Sequence, residues 1–513
     1  MKMNNLGSKE ILKRELARRN LYDFMKYKFE YYYGNPFLDN WHYGYLCEIL
    51  NELLKGNITN LLISMPPSYG KSELIARTFI PFALGKNPAL KFIYASYGDE
   101  LSKSISVETR DFFKSKAFEA LFGKQKLIMD KAEHWFNEKG GGLFATTTGG
   151  AITGKHCHIG IADDLLKASE AYSEASRKNS IIYFTESFLS RLLATDNIAG
   201  RMIVIMQRLH KKDLSGYLKE VAKDEWVDVS LEAINKAKKI YEVGNFRYER
   251  EANEALFQKR HNLKQLESIK QTMGEYAFNA QYQQEPENAA GGYFDSSYFD
   301  SNLISDFDVP KQKEYIFIDP AESTKDGSDN RAIVCVGISQ KDNEAPLIVV
   351  MDCFYGKWDN EMFIEQSFSM MDKYPNAEVR IEPKGGGITL TQTLQKQILG
   401  LNLKRRNDSK LPLTNLILNF KVPLSLSKHE KIATLLPAYN QGRLKFRRNA
   451  VGIGQIKAEL IKYNPDRKNN DDNCIDALSG ITWQHDIYPF VSKSEVKLTN
   501  NTHYRILQTQ WRI

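Results

Sequence analysis

The sequence lacks an apolar run of the roughly 18 to 20 residues that a membrane-spanning helix needs, which excludes a bilayer-spanning chain. Its first stretch, MKMNNLGSKEILKREL, is charged and has no apolar core, so we expect no secretory signal. Cysteine is scarce: five residues are scattered with no C-x-x-C pair, which favours reduced thiols over a disulfide framework. We therefore expect a protein that stays in a cytoplasm.

The composition is that of a globular protein, with 42% hydrophobic and 26% charged residues among 513. At about 150 residues per domain this length allows two to four domains, each able to bury a core. Lys and Arg exceed Asp and Glu by 70 to 63. This mild excess is compatible with a polyanionic partner but does not by itself indicate one.

The pattern of apolar runs changes along the chain. From 60 to about 210, fully apolar runs alternate with helical stretches, which predicts an α/β fold with a mostly parallel sheet covered on both faces. Further on, three β-rich runs in a row predict an antiparallel meander, followed by a helix and a fourth strand at 377–382. We place a boundary at 285–297, within about ten residues. The predicted segments are 1–210, a helical segment with a linker at 211–290, 291–490, and a polar tail at 491–513.

A phosphate-binding loop is the first candidate site. An apolar strand, LLISM, leads to Gly70-Lys71-Ser72 at the start of a helical stretch. In such a loop the backbone N–H groups and the helix N-terminus hold phosphates, the Lys meets the β and γ charges, and the Ser hydroxyl helps to hold Mg²⁺. Met65 stands where the pattern expects glycine, so a plain turn and helix start is the alternative. The candidate nucleotide-binding residues here are Pro67, Ser68, Tyr69, Gly70, Lys71 and Ser72.

Two acids end a later apolar run, HIGIADD. Ligand sites of α/β proteins lie at the C-terminal ends of strands, so we assign Asp163 to the Mg²⁺ shell and Asp164 to orienting the attacking water. A solvated helix cap is the alternative. A third strand ends at Gln207, which is positioned to sense the γ-phosphate unless it belongs to an ordinary loop. The Gly/Thr-rich stretch 140–156 is either a nucleic-acid contact or a bulged hairpin.

Separated acids in the C-terminal half form the second candidate site. Asp319 ends the first strand of the meander and Glu382 follows the fourth run. Asp472 and Asp476 are four residues apart, so they share one helix face. Such carboxylates can hold two divalent ions about 4 Å apart for phosphodiester cleavage. The strand order is that of an RNase H-like nuclease, although each acid alone could be an ordinary surface carboxylate.

Basic residues near these acids could meet a phosphate backbone, or form a solvated face. They are Lys384, Lys428, His429, Lys431, Arg443, Lys445, Arg447 and Arg448. Asp329 could assist a metal, although a role in a turn is the stronger interpretation.

Taken in order, these motifs resemble the large terminase subunit of tailed bacteriophages and prophages. The resemblance runs from FLDNWHYGYLCEIL through PPSYGKS, IADD, QRLHKKDLSGYL, FIDPA and IEPKGGG to DDNCIDAL. It implies an N-terminal ASCE-type P-loop ATPase (1–210) with a helical lid (211–290), followed by an RNase H-like nuclease (291–490). The implied cofactors are ATP and Mg²⁺ or Mn²⁺.

The resemblance also implies roles for single residues. Trp41 and His42 match an element near the adenine. Many relatives carry a basic residue in the phosphate-binding loop, where this chain has Ser68 and Tyr69, so a charge-stabilising arginine would come from Arg110 or Arg208. In the nuclease Asp471, Asp472 and Asp476 compete for the third ligand position, and Asp472 ranks first.

The function that we expect is a motor that moves double-stranded DNA into a procapsid and an endonuclease that cuts concatemers. Its implied partners are the DNA, the portal, a small terminase subunit and further copies of the chain in a pentameric ring, with no membrane. It would act in the bacterial cytoplasm and be absent from the virion. The rival hypotheses are a helicase–nuclease of DNA repair and a catalytically silent prophage protein that docks on a portal.

Overall fold

The chain forms two compact units in a computed structural model. The first comprises 1–295 and 461–470, and the second comprises 296–460 and 471–513. The structure describes residues 8–171, 173–193, 200–286, 293–320, 330–341, 344–383, 386–420, 427–465, 467 and 469–492. Asp329, Lys384 and the tail beyond 492, for which the sequence made predictions, lie outside these residues.

The first unit is built on an eight-stranded sheet and a separate two-stranded hairpin. The sheet strands are β1 (Asn60–Ser64), β2 (Lys91–Ser96), β3 (Leu127–Asp130), β4 (His134–Asn137), β5 (Gly142–Thr147), β6 (Ile159–Asp163), β7 (Arg201–Met206) and β8 (Val227–Ser230). The hairpin strands are β9 (Lys239–Val243) and β10 (Phe246–Arg250).

Helices cover both faces of this sheet. They are α1 (Ser8–Arg19), α2 (Leu21–Lys28), α3 (Trp41–Lys55), α4 (Ile80–Lys86), α5 (Asp99–Phe113), α6 (Lys116–Phe122), α7 (Glu174–Ile182), α8 (Leu214–Val221), α9 (Leu263–Met273) and α10 (Glu275–Gln281). π-Helical turns occur at Phe29–Tyr33, Glu73–Phe79 and Tyr183–Phe188. The segment after 210, predicted to be helical, also contains β8 and the β9–β10 hairpin, because alternating Tyr and charged residues favour strands there.

The strand order β3-β4-β5-β2-β6-β7-β1-β8 confirms the predicted mostly parallel sheet. The six neighbouring strands β5, β2, β6, β7, β1 and β8 run parallel to one another. β6 and β7 are buried at every residue. β7 lies between β1, which leads into the glycine-lysine loop, and β6, which ends at the paired acids. The C-terminal ends of the three strands therefore meet at one edge of the sheet.

The first half of the Gly/Thr-rich stretch 140–156 contains a strand of this sheet. Gly142–Thr147 form β5, which pairs in parallel with β2 and antiparallel with β4. The hairpin interpretation therefore holds for the first half of the stretch, since β5 is the second strand of an antiparallel pair with β4, while a contact with nucleic acid stays a prediction.

The second unit has an eight-stranded mixed sheet. Its strands are β11 (Leu303–Ile304), β12 (Lys313–Asp319), β13 (Arg331–Lys341), β14 (Leu347–Gly356), β15 (Glu378–Ile381), β16 (Ile417–Asn419), β17 (Leu444–Arg447) and β18 (Phe490–Ser492). β12, β13 and β14 form the predicted antiparallel meander, and β15 pairs in parallel with β12. The central order β14-β13-β12-β15-β16 is the RNase H-like order that the sequence predicted.

Helices of the second unit place the acids against this sheet. They are α11 (Ser296–Ser301), α12 (Asn360–Lys373), α13 (Gly387–Asn407), α14 (Lys428–Ala433), α15 (Leu436–Asn440), α16 (Ile453–Lys462) and α17 (Asn473–Trp483). α17 packs on β12 and β13. A Cβ on Gly480 would lie 2.6 Å from the Phe317 ring, so glycine lets the helix approach the strand.

Two sequence expectations concern membrane-spanning helices and the state of the cysteines. Among the described residues, none of the helices combines the length and apolar character that a bilayer crossing requires. All five cysteines lie in the described part of the chain, and each is a buried free thiol.

Candidate functional site

The phosphate-binding loop is held in shape by its own lysine and by glycine. The Lys71 ammonium is buried and donates to the carbonyl oxygens of Met65 at 2.9 Å and Pro66 at 3.1 Å. Gly70 has a φ of +85°, and a Cβ there would lie 2.4 Å from the Tyr43 hydroxyl. The loop thus resembles a phosphate-binding turn in shape, although Met65 replaces the usual first glycine.

Hydroxyl groups position the first acid of β6. The Ser72 hydroxyl donates to Asp163 Oδ2 at 2.7 Å, and the Tyr94 hydroxyl donates to the same oxygen at 2.8 Å. Asp163 is 2% exposed, and within the described residues no donor reaches its Oδ1. A serine hydroxyl beside a buried carboxylate with an oxygen to spare is a donor set that suits Mg²⁺, so these residues fit the ion that the fold implies.

The second acid is strained and has a raised pKa. Asp164 has a φ of +46°, and its Oδ1 accepts a hydrogen bond from the Gln207 backbone N–H at 3.2 Å. A left-handed backbone at a residue other than glycine stores strain, which is common at functional sites. Burial raises the pKa of Asp164 to about 6; Lys71 opposes this increase and Asp163 adds to it. A carboxylate of this pKa can accept a proton near neutral pH.

The structure places His42 behind the loop. Its Nε2 lies 3.2 Å from the Tyr69 carbonyl oxygen, and its Nδ1 lies 2.5 Å from Asn40 Nδ2. Burial lowers the pKa of His42 to about 3, so the imidazole is neutral. Because a carbonyl can only accept, Nε2 carries the proton and supports the loop backbone. This contact was not predicted from the sequence, and the role of His42 near the adenine stays a prediction.

Trp41 packs against the β9–β10 hairpin. Its ring stacks on Tyr248 with centroids 4.5 Å apart and planes 5° from parallel, and it contacts Tyr241 at 4.6 Å. The adenine-proximal role of Trp41 stays a prediction, and the structure adds that this ring ties α3 to the hairpin.

Both candidate arginines form ion pairs with aspartates. Arg110 lies near the end of α5, which starts at the C-terminal edge of the sheet and runs away from it, and it pairs with Asp130 of β3 at 3.1 Å. Eleven residues of helix place it about 16 Å from that edge. Arg208 is buried, and its Nε donates to both carboxylate oxygens of Asp213, each at 3.1 Å. Arg110 thus holds the β3 edge and Arg208 braces the loop after β7, and a role of either arginine in ATP hydrolysis stays a prediction.

A buried lysine from the N-terminal helices supports the loop helix. Lys28 is 1% exposed and its ammonium donates to Glu73 Oε1 at 2.7 Å and to the Arg77 carbonyl at 3.0 Å. The Tyr33 hydroxyl also donates to the Glu73 carboxylate. Glu73 directly follows Ser72, so its charge is neutralised next to the phosphate-binding turn.

The acids of the second unit converge on α14. Asp319 and Phe317 share the face of β12 that α17 covers, and the Glu382 backbone N–H donates to Ile318 O at 3.3 Å at the adjacent strand end. Asp472 is the residue before α17, and Asp476 lies in its first turn. The predicted acids thus lie around one end of the sheet.

Two lysines of α14 bridge these carboxylates. Lys428 Nζ lies 2.6 Å from Asp472 Oδ1 and 3.7 Å from Asp476 Oδ2. Lys431 Nζ lies 3.2 Å from Glu382 Oε2 and 3.1 Å from Asp476 Oδ1. In the part of the chain that the structure describes, no group of three His, Cys, Asp or Glu side chains is arranged to hold a metal ion. The ammonium groups supply the positive charge instead.

The other predicted basic residues and Asp471 have different roles. Arg443 donates to the Pro346 carbonyl and Arg447 pairs with Asp352, so both tie β17 to β14, while Lys445 donates to the Ser301 carbonyl at the end of α11. Phosphate contact by these residues stays a prediction. Asp471 is exposed and accepts from Gln455 of α16 at 3.3 Å. Of the competing acids, Asp472 and Asp476 are thus the ones that face Lys428.

Two residues that position the candidate acids, Tyr94 and Glu459, were not predicted from the sequence. Tyr94, whose hydroxyl donates to Asp163, carries the one ring hydroxyl in the apolar run KFIYAS. A phenol in a buried strand needs a hydrogen-bond partner, so the sequence could have indicated this contact. Glu459 is 1% exposed, and its Oε2 accepts from the backbone N–H groups of Cys474 and Ile475 at 2.9 and 3.0 Å. Burial raises the pKa of Glu459 to about 7. It caps the helix that carries Asp476.

The fold defines a class: a mostly parallel α/β sheet with a candidate phosphate-binding loop, and an RNase H-like sheet, in one chain. Residues 316–482 match the family model described as Terminase RNaseH-like domain, and this range contains the four candidate acids Asp319, Glu382, Asp472 and Asp476. Over this range the match confirms the resemblance to terminases that the motifs indicated.

Several solved structures align with most of this chain. The large terminase of a thermophilic bacteriophage is similar at 10% identity and a TM-score of 0.47, over 84% of this chain and 97% of that chain. The same phage protein in complex with ADP gives 10% identity and a TM-score of 0.45 over the same shares. The bacteriophage HK97 large terminase gives 14% identity and a TM-score of 0.37, over 86% and 92%. No curated protein matches the sequence.

Proposed function

We propose that the chain is the large subunit of a phage terminase. It would hydrolyse ATP to move double-stranded DNA into a procapsid, and its second unit would cut concatemeric DNA with the help of divalent ions. The observation that carries the proposal is the presence, in one chain of this family, of a Ser72–Asp163 pair beside a phosphate-binding loop and of a separate acid cluster at an RNase H-like sheet end.

In the proposed ATPase site, each group has a defined task. The loop N–H groups and Lys71 would bind the phosphates, which requires the ammonium to exchange its contacts to Met65 and Pro66 for phosphate oxygens. Bound Mg²⁺ would withdraw electrons from the γ-phosphate. Gln207 N–H fixes Asp164 Oδ1, which leaves Oδ2 to orient water and accept its proton. Ser72 and Asp163 would hold the ion.

In the proposed nuclease site, the carboxylates of Asp319, Glu382, Asp472 and Asp476 would hold divalent metal, whose chemistry is to activate water and stabilise the leaving oxygen. Asp319 and Glu382 are fixed by the ends of β12 and β15, and the other two by α17. Glu459, through the cap of α17, keeps that helix start in place.

The wider assembly is part of the same proposal. Segment 211–290 would move as a lid when ATP is hydrolysed, and a pentameric ring of copies would dock on the portal, loaded by a small subunit. This would take place in the cytoplasm of a bacterial host. The match of residues 316–482 to the terminase RNase H-like family supports this assignment.

A pair of variants tests the two activities separately. Lys71→Ala should lower ATPase kcat by about 10² to 10³-fold, because one charged phosphate contact is lost, while nicking of supercoiled plasmid with Mn²⁺ continues. Asp319→Asn should abolish nicking and leave ATPase unchanged. ATPase activity retained in Lys71→Ala, or nicking retained in Asp319→Asn, would remove that site from the proposal. Unwinding of a forked duplex by the wild type would instead favour a repair helicase.

A further inference from the structure

A cavity of about 300 Å³ lies beside strands β4 and β5 of the first unit. Lys91 and Gly142, which are the first residues of β2 and β5, line it, so it lies at the N-terminal ends of these strands. Asp163 ends β6 at the opposite edge of the same sheet. Ligand pockets in proteins measure about 300 to 1,000 Å³. The cavity is therefore large enough for a small ligand and is separate from the candidate nucleotide site.

Aromatic rings form one wall of this cavity. His134 of β4 pairs with Phe144 of β5, and their rings meet edge to face with centroids 5.4 Å apart. The Phe136 ring centroid lies 5.5 Å from that of His134. All three side chains are half-buried, whereas Trp135 and Leu143, on the other face of these strands, are fully buried. The wall thus offers ring surface on which a planar group can stack.

Cationic side chains stand beside the rings. The Lys155 ammonium lies 5.2 Å from the centre of the Phe144 ring, and Lys91 and His156 also line the cavity. Among the residues that the structure describes, no Asp or Glu lines it. Burial and the nearby Lys155 ammonium lower the pKa of His134, so its imidazole is a neutral ring at neutral pH. Rings for bases and ammonium groups for phosphates are what proteins use to bind single strands.

Two glycines keep the rim of the cavity open. Gly140 and Gly154 line it with φ of +79° and +75°, and a Cβ at either position would meet nothing within 4 Å. Glycine accepts this left-handed conformation without strain and lets a ligand approach the backbone closely. Both glycines belong to the Gly/Thr-rich stretch 140–156, for which the sequence predicted either a nucleic-acid contact or a hairpin.

We propose that this cavity binds single-stranded nucleic acid, with a base against the His134 and Phe136 rings and its phosphate at the Lys155 ammonium. The chemistry that is recognised is one nucleotide unit, which either a strand or a free nucleotide contains. A strand carries further phosphates, to which Lys91 and His156 would add contacts that a free nucleotide lacks. The inference goes beyond the proposed ATPase and nuclease activities, since neither uses this edge of the sheet.

Ultraviolet cross-linking locates the bound base directly. The full chain is mixed with an oligothymidylate that carries an iodouracil, in EDTA so that no ion-dependent cleavage occurs, and the linked peptides are identified by mass spectrometry. We expect the link at His134 or Phe136, because iodouracil couples to aromatic rings that it contacts. Cross-links found only elsewhere in the chain would overturn the inference. Suppression by thymidine monophosphate at an equal concentration of nucleotide units would overturn the strand as the ligand and assign the cavity to a free nucleotide.

Fluorescence anisotropy of the labelled oligothymidylate separates the phosphate contact from the base contact. Lys155→Met should reduce the slope of log Kd against log salt by about 0.7, since one phosphate contact is lost. Phe136→Leu should weaken binding about tenfold at every salt concentration, since a stacking ring is lost. Lys86→Met is the matched control: this ammonium lies 5.7 Å from the centre of the Phe82 ring in the same unit but outside the cavity, and its loss should change neither quantity.

A charge-preserving variant and a competitor complete the test. Lys155→Arg should bind the strand as the wild type does, which separates loss of charge from loss of folding. Wild-type affinity and salt slope in both Lys155→Met and Phe136→Leu would overturn the inference. Displacement of the strand by polyglutamate at equal charge would overturn it too, because an acidic protein segment would then fit the cavity equally well. ATPase activity and plasmid nicking should be unchanged in these variants, so the proposed function stands or fails independently.

Discussion

The two acid sites of this chain solve the problem of buried carboxylates in different ways. Asp163 of the first unit is held by the neutral hydroxyls of Ser72 and Tyr94, whereas Asp472 and Asp476 of the second unit are paired with lysines. Neutral donors leave the negative charge available to a cation, while ammonium groups compensate it. In the proposed function the first site would thus accept an ion that arrives with a nucleotide, whereas the charge of the second is compensated by the chain's own lysines.

The largest effect should come from removing a hydroxyl that holds Asp163. Tyr94→Phe leaves a buried carboxylate with one donor fewer, and hydrogen bonds to charged groups contribute about 1.5 to 3 kcal/mol. We expect ATPase kcat/KM to fall by about 10 to 100-fold in steady-state assays, with plasmid nicking unchanged. Tyr45→Phe, at a tyrosine of α3 that packs against Tyr241 and Phe246, is the control and should show no loss. An unaffected Tyr94→Phe enzyme would show that Ser72 alone positions Asp163.

A smaller effect concerns the pH dependence that the raised pKa of Asp164 predicts. ATPase activity should fall as pH decreases through about 6, because Asp164 takes up a proton and can no longer accept one from water. The folded pKa lies above the unfolded value, so Asp164 favours the folded state at low pH, and this contribution is lost as pH rises through 6.

Asp164→Asn should therefore raise the thermal midpoint at pH 7.5, by an amount equivalent to about 1 to 2 kcal/mol after allowance for its partial exposure. Near pH 4 the gain in stability should disappear. A variant equally stabilised at both pH values would mean that burial does not raise the pKa of this carboxyl group.

The smallest effect is expected at the arginine that the sequence suggested. Arg110→Ala removes partly exposed pairs with Asp130 and Asp111, which contribute about 0 to 1 kcal/mol. ATPase kcat should stay within experimental error of the wild type, and the thermal midpoint should change little. A loss of kcat of a hundredfold or more would mean that Arg110 reaches a nucleotide, for example in a neighbouring copy.

The positions of the acids were predictable because strand ends obey simple rules. Asp163, Asp319 and Glu382 each follow an apolar run, and parallel neighbours bring such ends to one edge. Glu459 could also have been found, since it shares a helical face with Ile456 and Leu460 and an acid in a core position needs partners. These features depend on local sequence and on strand order.

The roles of the surrounding groups depend on tertiary packing and were not predictable. His42 supports the Tyr69 carbonyl because α3 packs behind the loop, and no local pattern indicates that contact. The bridging by Lys428 and Lys431 depends on how α14 meets α17, more than 40 residues further on. From the sequence alone, basic residues such as Lys428 and Lys431 could equally contact the phosphate backbone of a nucleic acid, and that was the predicted role.

The contact between Lys28 and Glu73 ties the first two helices to the candidate phosphate-binding loop, so in the proposed ATPase they would contribute to nucleotide binding. Without that ammonium, Glu73 would place an uncompensated negative charge beside the turn that must receive an anion. A variant that starts after Lys28 would therefore show weaker affinity for ATP even though every loop residue is intact. Dissection of the protein into a minimal ATPase fragment has to begin before α1.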